Sequence, residues 1–558
     1  MHLTLAPSGT EITLGTNDFV AEGGEGKVYA RAGIAYKIYH DPSAAPPEAK
    51  IAALARLSAQ QVVRPESLLF DDAGQRVGHT MRHVTNAHPL CRLFTGSFRQ
   101  RHGVTQQHTL HLVDQLRTLL LHVHAAGVVV VDLNEMNILV GPQFDTIYLI
   151  DVESWQTPKH PATAILDGVR DRHASGFNEG TDWFAWAVVV FQLLIGVHPY
   201  KGKHPSVLGL DARMYADLSV LDPAVRCPPS ARDFKLIPPP LRDWFERVFH
   251  QRHRGGPPAI DPSTAPVILP AVPHGRALRI DPLWRATAPI LAVAEHLGTR
   301  CAITADGIWL NGAFAGAPPP GAQAIGFGGR DARAVVAAVH RGALTLWDTV
   351  TQAPIATQLA ARAVTSQGGR IYVLGPDSVV ELRLHSAGTR LVAAPRRVAH
   401  IRPHATTLFD GVAIQRAPGM VLATVFPGPG QALTLRLPDL ADGRIVDAKA
   451  DGGVLALLLR RRGRLHRYEV RFDTQGRLDL RCQSSVSGAA LDLVVLGTGV
   501  AILRTDGDTL ELFSQARGAP GRRAVQDPAL TDELRLVRLG STLGAFHHDR
   551  LYQLTLRA

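Results

Sequence analysis

Residues 255–275 read GGPPAIDPSTAPVILPAVPHG, and six prolines in that stretch are incompatible with a helix or a central strand. The chain therefore divides there. Ahead of it apolar residues recur at helical spacing, as in VDQLRTLLLHVHAAG and TDWFAWAVVVFQLLIG. Behind it stand short β-type runs broken by Gly, Pro and Asp turns. The expected division is a first domain over 1–255, a Pro-rich linker over 256–284 and a second domain over 285–558. A length of 558 residues suits a chain of several domains.

The later runs repeat one plan. An apolar strand meets a polar or Gly turn, and a second, alternating strand follows. RIYVLGPDSVVELRL and GVAILRTDGDTLELF are examples, and copies begin near 301, 334, 370, 419, 453, 499 and 543. A period of roughly 40 residues fits the four-stranded blades of a β-propeller. Seven copies suggest about seven blades; six or eight blades, or a pair of sandwiches, fit the same pattern. No WD or kelch signature recurs, and Trp347-Asp348 stands once.

Composition narrows the function classes. The formal charge is +10 and the pI near 9.7, but the basic residues are spread along the chain, so no nucleic-acid footprint is expected. The densest cluster, RRRGR at 460–464, lies between two strand-like runs and reads as a solvated hairpin tip. Cys91, Cys227, Cys301 and Cys482 are too widely spaced for a CxxC metal site and argue against a disulfide framework. The 25 histidines are scattered, and His547-His548 reads as a loop in the last repeat. The N-terminal MHLTLAPSGTEITLG lacks the features of a signal peptide. The longest apolar run, 184–197, is shorter than a membrane span needs. The expected location is cytoplasmic, without a membrane span.

The chemistry gathers in the first domain. AEGGEGKVY (21–29) places glycines between two strand-like runs, where backbone N–H groups can pass close over phosphates. Eleven residues after Gly26, Lys37 stands among apolar and aromatic neighbours in AYKIY. A buried ammonium there could hold phosphate oxygens, and it would need a carboxylate partner. Glu48 opens the helical run EAKIAALARL and is the only acidic residue between Asp41 and Glu66, so it is the expected partner. In VVVVDLNEMNILV, Asp132 and Asn137 stand five apart between apolar runs. Such an Asp can orient or deprotonate a substrate hydroxyl, and the Asn can offer its amide oxygen to Mg²⁺. In IYLIDVES, Asp151 leaves an apolar strand, where a carboxylate needs a metal or a partner.

The order of these elements resembles the protein-kinase signature set. GGEGKVY, YKIYH, VVVVDLNEMNILV, LIDVESWQ and TDWFAWAVVVFQLLIGVHPYKG are similar to a bacterial YegI-like subfamily of Ser/Thr kinases, over about residues 15–255. The resemblance implies an α+β two-lobed kinase-like fold with ATP and Mg²⁺ in the cleft, followed by the all-β propeller-like domain. It implies that Gly23, Gly24, Gly26 and Val28 cover the nucleotide and that Lys37 pairs with Glu48. Met81 would be the gatekeeper, and Arg82, His83 and Val84 the hinge that binds adenine. Asp132 would be the catalytic base, and Asn137 and Asp151 would hold the metal. Asp182 would anchor the catalytic loop, and Arg252 and Arg254 would stand in the closing helical region.

The sequence also departs from that pattern. The triplet before the loop reads Val130-Val131-Asp132, the usual lysine two residues on is Asn134, and the metal-binding triplet reads Asp151-Val152-Glu153. Glu153 is either a second metal ligand or a solvent-facing carboxylate. The expected activity is Mg-ATP-dependent Ser/Thr protein phosphorylation, with the β domain recruiting a protein substrate or partner. A small-molecule phosphotransferase and a nucleotide-binding pseudokinase scaffold are the alternatives. About thirty residues separate Asp151 from Asp182, a length that favours a protein substrate.

Overall fold

The computed structural model describes every residue except 164, 265–274, 487–490, 506, 532 and 558, so most of the Pro-rich stretch lies outside the described residues. The chain forms two compact units. One takes 1–94, 104–269 and 461–464; the other takes 95–103, 270–460 and 465–558.

The first unit opens with β-strands whose apolar residues alternate. These are β1 (His2–Ala6), β2 (Thr10–Thr13), β3 (Phe19–Glu22), β4 (Gly26–Arg31), β5 (Ile34–Tyr39), β6 (Pro65–Phe70) and β7 (Arg76–Arg82). They form one sheet in the order β2-β1-β6-β7-β5-β4-β3. Leu3, Leu14, Tyr36, Leu69 and Val77 make a core on this sheet. Lys37 lies on central β5, opposite Val28 of β4 and His79 of β7, so register alone aims it away from the sheet edge.

The helices are α1 (Glu48–Leu54), α2 (Gly96–Arg101), α3 (Gln106–Ala125), α4 (Glu179–Ile195), α5 (Leu210–Tyr215) and α6 (Pro239–Gln251). Thr105 caps α3 by accepting the N–H of His108, and Gly127 follows it at φ 70°. Asn178 caps α4 through the N–H groups of Gly180 and Thr181, and Gly196 ends it at φ 85°. From Thr181 onward every residue of α4 is buried, as expected of a helix that is apolar all round. Trp183, Trp186, Trp244, Phe191, Phe245 and Phe249 pack edge-to-face or stacked around it. Each such fully buried side chain contributes about 1.5–3 kcal/mol. The short strands β8 (His88–Pro89), which precedes α2, and β9 (Ile138–Val140) and β10 (Ile147–Leu149), which lie between α3 and α4 in sequence, make a small sheet whose β9 begins directly after the Asp132–Asn137 loop. Among the described residues no helix is long and apolar enough to cross a membrane.

The second unit holds seven four-stranded antiparallel sheets. Six are continuous in sequence, at 290–316, 322–355, 363–400, 406–437, 444–483 and 492–526; the seventh joins 535–556 to the strand Leu278–Arg285. The first strands of successive sheets neighbour one another, and Arg535–Leu539 neighbours Ile290–His296, so the series closes on itself. Central strands such as Val454–Arg461 are buried on both faces over their apolar run, hence the unbroken VLALLL. Helix α2 belongs to this unit, where Arg101 reaches Asp410 at 2.9 Å and Asp447 at 3.6 Å.

Two expectations change here. Residues 278–284 are not linker, because Leu278–Arg285 pairs with Arg550–Leu556 and covers an edge that would otherwise be open. Pro282 is tolerated in that strand because the register shifts between Pro282 and Trp284. The RRRGR cluster does form a hairpin turn, with Arg462 and Gly463 at φ 48° and 71°, but only Arg462 and Arg464 are exposed; Arg460 and Arg461 are half-buried.

Backbone proximity separates the glycines of the 21–29 turn. A Cβ on Gly26 would stand 2.2 Å from the Ile38 carbonyl oxygen, whereas one on Gly23 or Gly24 would meet nothing within 4 Å. Gly26→Ala is therefore expected to destabilise the chain by about 1–3 kcal/mol. Gly23→Ala should stay within about 0.5 kcal/mol. Urea-unfolding midpoints measure both; equal shifts would contradict the register of β4 on β5.

Candidate active site

Lys37 is buried, and its ammonium donates to Glu153 Oε1 at 2.6 Å, Asp151 Oδ1 at 2.7 Å and Glu25 Oε2 at 3.0 Å. Burial opposes its charge, but Glu153, Asp151 and Glu25 outweigh that, and its pKa is raised well above the ordinary value. Glu153 is the most enclosed of the three, with its side chain 5% exposed against 28% for Asp151 and 47% for Glu25. Burial pushes the Asp151 carboxyl up to about 7, with repulsion from Glu153 adding and Lys37 only partly offsetting. Burial acts the same way on Glu153, but Lys37, then His79, overcome it and hold that carboxyl low. His79 is fully buried, its Nε2 3.8 Å from Glu153, and burial favours its neutral form.

Glu48 does not take the ammonium. It is exposed at the start of a seven-residue helix whose inward residues are Lys50, Ile51 and Leu54. The reason is geometric: α1 begins at Glu48, and its first turn presents Lys50, not Glu48, to the protein interior. Glu153 is correspondingly not solvent-facing: its side chain is enclosed, and one oxygen bonds Lys37.

The second group surrounds Asp132. Asp182, fully buried on α4, accepts the N–H groups of Val130 and Val131, each at 2.8 Å, and the imidazole N–H of His124 at 2.9 Å. That holds Val131 at φ 65°, a conformation costly for a β-branched residue, and turns the chain sharply into Asp132. Asp132 Oδ1 accepts the Leu166 N–H at 2.8 Å, and its Oδ2 accepts the Asn137 amide at 3.3 Å. Asn134, standing where the resemblance has a lysine, builds the turn instead: its Oδ1 accepts the N–H groups of Met136 and Asn137. The two groups join at one backbone bond, Ile150 N–H to the Asn137 carbonyl at 2.9 Å, so Asn137 sits next to the strand end that carries Asp151. Asp151 itself is left-handed, at φ 63°.

The remaining expected residues surround these. Gly23 and Gly24 are exposed, Gly26 is buried, and Val28 is half-buried opposite Lys37. Met81 is half-buried and pairs with Ala35. In the expected hinge the His83 N–H is already donated to the Gly33 carbonyl, which leaves Val84 to offer an amide. Among the described residues no group of three or more His, Cys, Asp or Glu is placed to hold a metal ion. Asn137 Oδ1 and Asp151 Oδ2 nevertheless accept no hydrogen bond among the described residues, and they are the hard oxygens that Mg²⁺ prefers. Asn137 and Asp151 therefore fit the metal, with Asp151 the more exposed of the two buried-site carboxylates on Lys37.

Three residues had escaped the sequence reading. Glu25 lies inside the glycine turn. Lys50 is a buried cation on α1. Asp171 is held bidentately by Arg254, at 2.5 and 2.9 Å, with Arg254 stacked over Phe184. Only Glu25 carried a usable signal, a carboxylate at the tip of a turn meant for phosphates.

No family model and no curated protein matches the chain. Among solved structures, the ROP18 kinase domain in complex with AMP-PNP and sucrose aligns over 40% of this chain and 79% of that chain, at 15% identity and a TM-score of 0.26. The Cydia pomonella granulovirus kinase PK-1 aligns over 42% of this chain and 88% of that chain, at 11% identity and a TM-score of 0.32. Likenesses this loose carry no weight, and the functional reading rests on the geometry above.

The Asp171–Arg254 pair sets a pH dependence. Burial would raise the Asp171 carboxyl, but two Arg254 bonds and the His173 N–H lower it below its ordinary value. A folded pKa below the unfolded one gives stability that is present above about 3.9 and lost as pH falls through the folded value. Arg254→Ala is expected to lower the unfolding midpoint at pH 7, and the gap to wild type should narrow below about pH 4. A gap independent of pH would show that the pair contributes nothing.

Proposed function

We propose that the first unit is a kinase-like phosphotransferase that moves the γ-phosphoryl group of Mg-ATP to a Ser or Thr hydroxyl of a protein. The observation that carries this reading is the Asn137–Ile150 backbone bond, which joins the Asp132–Asn137 loop to the Asp151–Lys37 cluster at one site. Bound Mg-ATP supplies the phosphoryl group. Lys37 would hold phosphate oxygens, exchanging the Glu25 carboxylate for them, and Asn137 and Asp151 would hold the metal. Asp132 would orient the substrate hydroxyl and accept its proton as the new O–P bond forms and the bond to the departing diphosphate oxygen breaks. The hinge amide of Val84 is the group left to meet adenine.

Support for a protein substrate is local. A cavity of about 130 Å³ beside the catalytic loop is lined by Val131, Ile165, Val169, Ala174, Phe177 and Thr181, most of them from the segment after Asp151. Arg170, Asp171 and Ser175 also line it, so it offers polar as well as apolar groups. For the second unit we propose a seven-bladed β-propeller that recruits the substrate or a protein partner. Seven sheets, the neighbouring first strands and the last sheet completed by Leu278–Arg285 support that reading.

The test uses the whole chain with Mg²⁺ and γ-labelled ATP, with and without an added protein acceptor. Label on the chain or the acceptor is expected for wild type. Asp132→Asn and Lys37→Ala should each lose about 100-fold or more in transfer. Asp132→Asn should keep its nucleotide affinity. Wild-type binding of ATP with no transfer would replace this reading with a nucleotide-binding scaffold.

A further inference from the structure

Immediate neighbours of a strand lysine point to the opposite face of the sheet, and the i±2 neighbours of Lys37, Ala35 and Tyr39, are not acids, so the carboxylate that fixes it has to come from another element. In this chain α1 is the helix in place to supply it, and it supplies the wrong charge. Its inward polar residue is Lys50, 3% exposed, and its acid, Glu48, faces solvent. The carboxylate arrives instead from the turn after β10, two residues beyond Asp151.

We propose that Glu153 is the positioning residue for Lys37. Two observations carry this. Glu153 Oε1 makes the shortest of the Lys37 bonds, and its side chain is the most buried of the three partners. Tyr39 OH, on the same strand as Lys37, lies 3.4 Å from that same oxygen, so the carboxylate is gripped from β5 alone at two points.

The assignment separates two roles that the triplet Asp151-Val152-Glu153 could be thought to share. Both carboxylates bond Lys37 through one oxygen; Glu153, the enclosed one, holds the lysine, and the more exposed Asp151 is left for the metal of the proposed function. It also detaches Lys37 from α1: a shift of that helix would not break the bond on which the lysine depends.

The proposal rests on the phosphotransferase reading, and the experiment keeps the two apart. Wild type, Glu153→Gln, Glu153→Asp, Glu48→Gln and the double variant Lys37→Met/Glu153→Gln are compared as full chains, each checked for folding by circular dichroism. The readouts are nucleotide affinity by calorimetry, kcat and KM for ATP, and the Mg²⁺ dependence of the rate. Glu153→Gln is expected to lose at least tenfold in kcat/KM with an unchanged Mg²⁺ half-saturation. Adding it to Lys37→Met should cost less than twofold more. Glu153→Asp should fall between Gln and wild type, which keeps the comparison readable where Gln does not fold. Glu48→Gln should stay within twofold. An equal loss in Glu48→Gln, a wild-type rate in Glu153→Gln, or a loss restored by raising Mg²⁺ would each overturn the assignment and leave the phosphotransferase reading standing. A wild-type chain that neither binds nor turns over ATP would instead overturn that reading, and the assignment with it.

Discussion

A single buried carboxylate sets the geometry of the site. Asp182 sits in an otherwise apolar helix, and a lone charge there would be untenable. It is sustained by three donors, the N–H groups of Val130 and Val131 and the imidazole of His124. In return it holds Val131 in a left-handed conformation that the residue would not choose, and that conformation aims Asp132. The aromatic packing around α4 therefore acts on chemistry at a distance: Trp183, Trp186 and Trp244 keep the helix in place, the helix keeps Asp182 in place, and Asp182 shapes the loop.

Around Lys37 the dominant fact is imbalance. One ammonium faces three carboxylates within 3.0 Å, and the neighbouring imidazole, being fully buried, favours its neutral form. Unit charges 4 Å apart interact by about 4 kcal/mol at an effective dielectric of 20, so an uncompensated excess of negative charge has real consequences. Repulsion from Glu153 adds to burial in raising the Asp151 carboxyl. Glu25, the most exposed of the three carboxylates, is the one that most easily returns to water. The buried member, Glu153, has no such route out.

Much of this was legible from sequence, for identifiable reasons. Lys37, Asp132, Asn137 and Asp151 each stand in or beside an apolar run, where a polar residue is conspicuous, and their order along the chain conveyed the arrangement. Glu48 misled because the partner of Lys37 was sought by elimination within one helix, while the partner that forms lies 116 residues away in sequence. Sequence distance does not reveal which acid a fold returns to a given lysine. In the second unit the repeats were visible where strands are buried on both faces. Six of the seven copies mark the second and third strands of a sheet; the copy near 419 instead falls on the third and fourth, Met420–Val425 and Leu433–Leu437. Outer strands such as Leu478–Gln483 are half exposed and polar, so they carry no apolar run to read. Residues 278–284 fall in the expected linker because this outer strand, LRIDPLWR, likewise carries no unbroken apolar run.

The placement of Glu153 has a consequence for how such a site could be controlled. Asp151 and Glu153 lie in one turn, tied by the Ser154 N–H and hydroxyl to the Asp151 carbonyl. A displacement of that turn moves both carboxylates away from Lys37 together. A displacement of α1 does not, since Glu48 is exposed at its start and makes no bond to the lysine. The segment that follows Asp151 also supplies Leu166, whose N–H meets Asp132, and most of the lining of the adjacent cavity. The conformation of that one stretch of chain therefore sets together the Asp151 and Glu153 bonds to Lys37, the Leu166 bond to Asp132 and the lining of the cavity.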